Sequence, residues 1–287
     1  MFRSSLRLIV VGIVLFASFE PVQALTYSLP FRDNFDTSSV WTVQQVRGSS
    51  WQQGSPSYGT TSSSHSSPSC WDVELNSSYR DSTISYLVSP QINFNGEYNA
   101  RLSFWQNFNT EDYFDGARLE FALNGGGWIT LGLASDPNAE NWYSRNNIAS
   151  SNRPAWCGSS NGWIQSSFVL VPLNGFSGNV QFRFVFTSSD SVHADGYSID
   201  DFFIDQAPVF DAGIVSLFYP MHFALENAMD SVQCVLKNLG GSAINSVNVG
   251  YSVNAGSPVI QAWTGNLLPA ETDTIRFATP FFVSSGM

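Results

Sequence analysis

Apolar and polar residues alternate with a period of two along much of this chain, the pattern of strands that bury one face. Between Ala100 and Phe108, Leu102 and Phe104 alternate with Arg101, Ser103 and Trp105. From Ala117 to Leu123, the apolar Ala117, Leu119, Phe121 and Leu123 point one way and Arg118 and Glu120 the other. Asn124-Gly125-Gly126-Gly127 then supplies residues that tolerate positive φ, and Trp128-Ile129-Thr130-Leu131 resumes the run, which predicts a hairpin. Phe168–Leu173 reads as another strand. Val180, Phe182, Phe184 and Phe186 form a third alternating face with Gln181 and Arg183 opposite, and Tyr197–Ile204 closes the series. Apart from an apolar run at the N-terminus, no helical period competes with this pattern. The expectation is an all-β chain of antiparallel sheets packed face to face.

The composition shifts near Gln206-Ala207-Pro208, from Trp, Gly and Ser to aliphatic residues. Beyond it, Ile214–Phe218, Ser231–Lys237, Val247–Val253, Val259–Trp263 and Thr274–Phe277 read as five strands separated by turn signals such as Asn238-Leu239-Gly240-Gly241. That density fits an immunoglobulin-like sandwich, with a strand or two still owed where the sequence stops. Two units are therefore expected, at 25–207 and 208–287, the second a truncated one. Within the first, Gly48 to Ser69 is rich in Ser and nearly free of aliphatic residues, and reads as a long surface loop anchored at its ends by Trp51 and Trp71.

The remaining N-terminal run is short. Arg3 and Arg7 precede an apolar stretch from Leu8 to Phe19, and Val22-Gln23-Ala24 offers small residues at signal-peptidase spacing. Residues 1–24 are read as a secretory signal cleaved after Ala24, since the apolar stretch falls well short of the roughly 20 residues of a spanning helix. No later stretch is apolar enough to insert, so no membrane insertion is expected after cleavage. Removing Arg3, Arg7 and Glu20 from 12 basic and 23 acidic residues leaves 10 and 22, a formal charge of −12. Such a surface repels nucleic acid and is compatible with divalent cations. Export also lets cysteines pair. Cys70 and Cys157, each beside a tryptophan, are the preferred disulfide, the alternative being that these two and Cys234 are buried thiols.

Chemistry concentrates at Asp195-Gly196-Tyr197-Ser198-Ile199-Asp200-Asp201. Adjacent aspartates in a regular strand project to opposite faces, which would turn one towards the apolar interior, where a carboxylate needs a partner, a proton or a metal. One reading is a structural calcium site drawn from Asp33, Asp36, Asp115, Asp200 and Asp201. The other has these aspartates capping turns or pairing Arg118 or Arg183. Eight of the nine tryptophans precede the composition shift, and most should be core. The candidate ligand-facing aromatics are Trp105, opposite Leu102 and Phe104 on its strand, and Trp142 and Tyr143, in a polar stretch beside Arg145, Asn146 and Asn147. His65, His193 and His222 are scattered and no His-Glu-x-x-His pair occurs, so no catalytic residue is nominated.

Several segments together resemble the MAM-type jelly-roll domains and their bacterial relatives. They are Ser85-Tyr86-Leu87-Val88-Ser89-Pro90, Leu102-Ser103-Phe104-Trp105, Phe114-Asp115-Gly116-Ala117, Asn124-Gly125-Gly126 and the closing Ile199-Asp200-Asp201. Residues 208–287 resemble the adhesion-type, CARDB-like immunoglobulin-like repeats that follow such domains. The resemblance implies a concanavalin-like jelly-roll β-sandwich mediating adhesion, a cation near Ile-Asp-Asp, and an exported bacterial protein, in some relatives by type IX secretion. The four-cysteine pattern of animal MAM domains is missing. The function expected is a secreted or cell-surface, non-catalytic binding or adhesion module for glycans or surface proteins. The alternative is an accessory domain of a larger secreted hydrolase, such as a peptidase, encoded downstream.

Overall fold

A computed structural model describes residues 25–220 and 227–283; the expected signal sequence and His222 lie outside them. The chain is all-β, and its only helical turns among these residues are the short 3-10 segments Gly59–Thr61 and Val171–Leu173. The first part is a sandwich of two seven-stranded sheets. The first sheet holds β1 (Thr26–Ser28), β3 (Thr42–Arg47), β6 (Ile84–Val88), β7 (Gln91–Asn95), β9 (Gly116–Leu123), β10 (Ile129–Thr130) and β15 (Ser177–Thr187). In the second are β2 (Phe31–Asp33), β4 (Trp51–Gly54), β5 (Cys70–Val73), β8 (Arg101–Asn109), β11 (Ala139–Glu140), β14 (Ile164–Val169) and β16 (Gly196–Asp205). A small hairpin, β12 (Arg145–Ile148) and β13 (Arg153–Ala155), lies outside both.

Period-two alternation puts one aromatic layer between the sheets. Phe104 from the second sheet meets Phe184 from the first edge-to-face at 4.9 Å, and Trp41 meets Phe202 at 4.9 Å. Trp51 and Trp71 are buried, as expected of residues that anchor the Ser-rich loop. The hairpin from β9 to β10 forms as read, with Ile129 opposite Phe121. The strand read at Phe168–Leu173 is displaced: β14 ends at Val169 and Val171–Leu173 is a 3-10 turn, because Pro172 has no N–H to extend a ladder. Gly116 sits where β9 passes the 156–157 backbone; a Cβ there would lie 2.1 Å from the Trp156 carbonyl oxygen. Gly116→Ala is expected to destabilise the fold by roughly 1–3 kcal/mol in chemical denaturation, since backbone must move to admit the methyl.

After β16, β17 (Ala212–Tyr219), β19 (Gln233–Asn238) and β22 (Thr272–Arg276) form a three-stranded sheet. Alongside are the pairs β18 (Ala228–Asp230) with β23 (Phe281–Val283), and β20 (Ile244–Tyr251) with β21 (Val259–Leu267). Among the described residues none of these strands pairs with the first two sheets, and their core is its own, built from Val232, Cys234, Leu236, Ile244, Val249, Leu267, Ile275 and Phe277. Ile214 and Leu217 stand in register with the buried Leu236 and Cys234, yet are 49% and 60% exposed, so the β17 flank of this core is open.

Candidate functional site

The outer face of the second sheet is built on β8 and β16. Register aligns Trp105 with Asp200 and Asn107 with Ser198, and Ser198 with Asp72 on β5. Phe104, Gln106 and Phe108 point into the sandwich, so Trp105, Asn107, Ser198, Asp200 and Asp72 share the outward side. The Ser-rich loop, residues 55–69, folds over half of this polar layer. Thr60 donates from its N–H and hydroxyl to Asp195 Oδ2 (2.8 Å each), and Asn107 Nδ2 donates to the Thr60 carbonyl (2.8 Å). Burial alone would raise the pKa of Asp195, but it is outweighed by the donors from Thr60 and Asn109, which hold the carboxyl below its usual range.

The two aspartates do not project to opposite faces. Between the Asp200–Trp105 and Phe203–Ser103 pairs, β16 advances three residues while β8 advances two, a β-bulge with Asp201 at φ +50°. The extra residue turns both carboxylates to the loop. Asp200 Oδ2 accepts the N–H groups of His65 (3.0 Å) and Ser66 (2.9 Å), and Asp201 accepts from the Ser66 hydroxyl (3.1 Å) and pairs with His65 Nδ1 (2.7 Å). Asp200 is thus buried beneath the loop rather than in the apolar core; burial and the neighbouring Asp201 charge push its pKa up to about 7 against these donors. Deeper in the layer, Asp72 is fully buried. Its Oδ2 accepts from the Ser198 hydroxyl, and its Oδ1 has no hydrogen-bond partner among the described residues.

At the loop's edge the His65 ring stacks on Trp105 (centroids 3.8 Å apart, 13° between planes) and meets Trp163 edge-on at 5.9 Å. Trp163 Nε1 donates to the Ser63 carbonyl (3.2 Å). All three rings keep exposed surface. Next to them the exposed Gln165 stands opposite Trp105 and the half-buried Ser103 follows on β8, while Ser167, opposite Ser103, is buried and accepts from Arg101 (2.7 Å). The site therefore offers exposed aromatic rings and hydrogen-bonding side chains in one surface.

Of the residues nominated from sequence, Trp105, Asp200 and Asp201 meet here and the others do not. Trp142 and Tyr143 are core residues. Trp142 packs on Trp156 at 4.8 Å and donates to the Leu131 carbonyl (3.1 Å), while the Tyr143 hydroxyl donates to the Leu119 carbonyl (3.0 Å). Their polar neighbours lie outside while the two rings turn in, leaving no face for a ligand. The five aspartates proposed for calcium do not form one donor set. Asp33 accepts from the Phe35 N–H (3.0 Å) and the Ser39 hydroxyl (2.9 Å), Asp36 from Asn34, and Asp115 from Tyr79 (2.8 Å) and the Ser189 N–H. Among the described residues no three His, Cys, Asp or Glu gather into one site. Nor do the aspartates pair Arg118 or Arg183, both of which bind Glu120 instead.

The Cys70–Cys157 disulfide is not formed, and all three cysteines are buried free thiols. Cys70 lies on β5 beside Asp72 and Asp200, whereas Cys157 follows β13 and donates to Asp112 Oδ1 at 3.3 Å. His193 pairs with Asp81 (3.2 Å) away from this face. His65 and Trp163 were not anticipated. The parity of β14 carries a signal for Trp163, which falls on the same side as Gln165; nothing in the Ser-rich loop marks His65.

No family model and no curated protein matches the chain. Among solved structures it is similar to the carbohydrate-binding module TmCBM61 in complex with β-1,4-galactotriose (14% identity, TM-score 0.36, 58% of this chain and 89% of that one). It is also similar to the K1 cleaved adhesin domain of Lys-gingipain from Porphyromonas gingivalis (15%, 0.34, 61% and 96%). A third is the glycoside hydrolase domain of Endo-D from Streptococcus pneumoniae (11%, 0.35, 86% and 33%). At these scores the likenesses assign neither a family nor a ligand. Among the described residues no helix is long and apolar enough to cross a membrane.

Proposed function

We propose that this chain is an extracellular, non-catalytic binding module that recognises a glycan on the open half of its second sheet. The observation that carries the reading is the rim of Trp105, His65 and Trp163 beside Ser103 and Gln165. A pyranose presents C–H faces that pack on aromatic rings and hydroxyls that bond amide and hydroxyl side chains, and this surface holds both kinds of partner. Export is supported by the N-terminal charge and apolar pattern ending at Ala24.

The test is a glycan array on residues 25–287, followed by calorimetric titration of the hits. Trp105→Ala is expected to weaken binding by about tenfold or more, as for a buried aromatic anchor, with the unfolding midpoint little changed. Binding is expected to survive EDTA, because Asp200 and Asp201 are committed to the loop. An array with no saturable hit, capture of protein ligands alone, or a Trp105→Ala protein that binds like wild type would overturn the reading.

A further inference from the structure

The opposite side of the sandwich carries a second constellation that the glycan reading does not use. On the outer face of the first sheet, register lines up Thr42, Val88, Arg183 and Glu120 in one row and Gln44, Tyr86, Val185 and Arg118 in the next. Glu120 is bridged by both arginines, its Oε1 accepting from Arg118 Nε (2.7 Å) and its Oε2 from Arg183 Nε (2.7 Å), with Arg183 Nη2 in ion-pair contact with the same oxygen at 2.6 Å. The Arg183 guanidinium also lies over two rings, Tyr86 at 4.4 Å and Trp128 at 4.3 Å. Two cations against one anion leave this cluster at +1 in a chain whose formal charge is −11. The Arg118 side chain is only 12% exposed, so its guanidinium has lost most of its water, while a single one of its N–H groups is spent on Glu120. A partly desolvated fork with donors to spare is the arrangement that takes a carboxylate in two parallel bonds.

The hairpin adds a stacking surface. Ile129 and Thr130 pair with Phe121 and Glu120, which sets Trp128 beside Ala122, with Gln181 opposite Ala122 on the next strand. From Arg118 to Ala122 is four strand residues, roughly 13 Å, room for more than one sugar ring between the cation and the indole. We propose that this face is a binding site for an acidic sugar, its carboxylate held by Arg118 and a neighbouring ring packed on Trp128, with Gln44 and Gln181 bonding hydroxyls. It is independent of the glycan site on the other sheet, and Trp105 takes no part in it.

The experiment is calorimetric titration of residues 25–287 with trigalacturonic acid, 3′-sialyllactose, a sulfated disaccharide and lactose. A carboxylated probe is expected to bind saturably and more weakly as salt rises, and at least about tenfold more tightly than lactose, since a charge-assisted bond is made only with the acid. The two carboxylated probes distinguish a uronate from a sialic-acid source. Arg118→Gln and Trp128→Ala are each expected to lower that affinity about tenfold or more, while Trp105→Ala leaves it unchanged. Arg118→Lys keeps the charge that balances Glu120 and gives up the fork, so it is expected to stay folded and still lose affinity, which keeps the test open even if Arg118→Gln is destabilised. No saturable binding of either carboxylated probe, lactose or the sulfated probe binding as tightly, or Arg118→Lys matching wild type would each overturn the proposal.

Discussion

Asp72→Asn is expected to raise the stability of this protein at neutral pH and to flatten its dependence on pH. Asp72 is fully buried on β5 under the Ser-rich loop, and one carboxyl oxygen has no partner among the described residues. Burial is the main cause that pushes its pKa from 3.8 to about 8; the Ser198 and Thr61 hydroxyls pull the other way and the Glu74 charge adds to the rise. The side chain therefore enters the fold as the neutral acid. Below pH 4 both states hold the proton and the residue costs nothing. Between about pH 4 and 8 the unfolded chain releases it and the folded protein keeps it, so stability falls as pH rises, and above pH 8 the full penalty is present. At pH 7 the linkage is on the order of 4 kcal/mol before any relaxation. An uncharged amide of the same shape removes that term, and a gain of roughly 2–4 kcal/mol is expected. Urea unfolding of both proteins from pH 5 to 9 checks this. Wild type should lose stability across that range while the variant changes less, with the remaining slope coming from Asp200, whose pKa is raised to about 7 for the same first reason. Parallel slopes would show that Asp72 is not held neutral.

The sandwich could be read from residues because its inner faces obey period two over long stretches. Leu102 with Phe104, and Val180 through Phe186, give the parity of β8 and β15 directly, and these strands carry both faces discussed above. Short or wholly exposed strands left no such signal. Thr42–Arg47 is exposed throughout, and Trp51–Gly54 and Cys70–Val73 are too short to show a period, yet each pairs with a neighbour in its own sheet. In the second unit the five strands were legible, but Ala228–Asp230 and Phe281–Val283, three residues each, were not. The candidate site was half legible. Trp105 declared itself by standing opposite two core residues. The Asp200-Asp201 pair was singled out correctly as unusual, but parity assigned its geometry wrongly, because a one-residue bulge is invisible to any period. Trp142 and Tyr143 misled for a related reason. A polar loop surrounds them, and only the close-packed rings of Trp156 and Phe168 reveal that they turn inward. His65 reaches Trp105 across forty residues of sequence, a contact that exists only once the loop has folded onto its sheet.

Glu120→Ala is expected to cost about 3–5 kcal/mol, the range found when one partner of a buried ionic group is removed. Glu120 is 7% exposed, and Arg118 and Arg183 are 12% and 15% exposed, so none of the three is well hydrated. The carboxylate supplies an acceptor to each guanidinium. Without it two cations face each other across β9 and β15, with only the Tyr86 and Trp128 rings left to moderate Arg183. Glu120→Gln separates shape from charge: it retains one acceptor oxygen and the side chain's size but loses the attraction, and should fall between wild type and alanine. The double variant Glu120→Ala with Arg183→Met should recover part of the loss, because it removes the stranded charge as well as its partner and keeps an unbranched side chain between the two rings. Guanidinium unfolding of the four proteins at one pH decides it. If Glu120→Ala costs less than about 1 kcal/mol, the ladder behaves as a solvent-screened surface pair, and the desolvated fork on which acid recognition by Arg118 depends is absent as well.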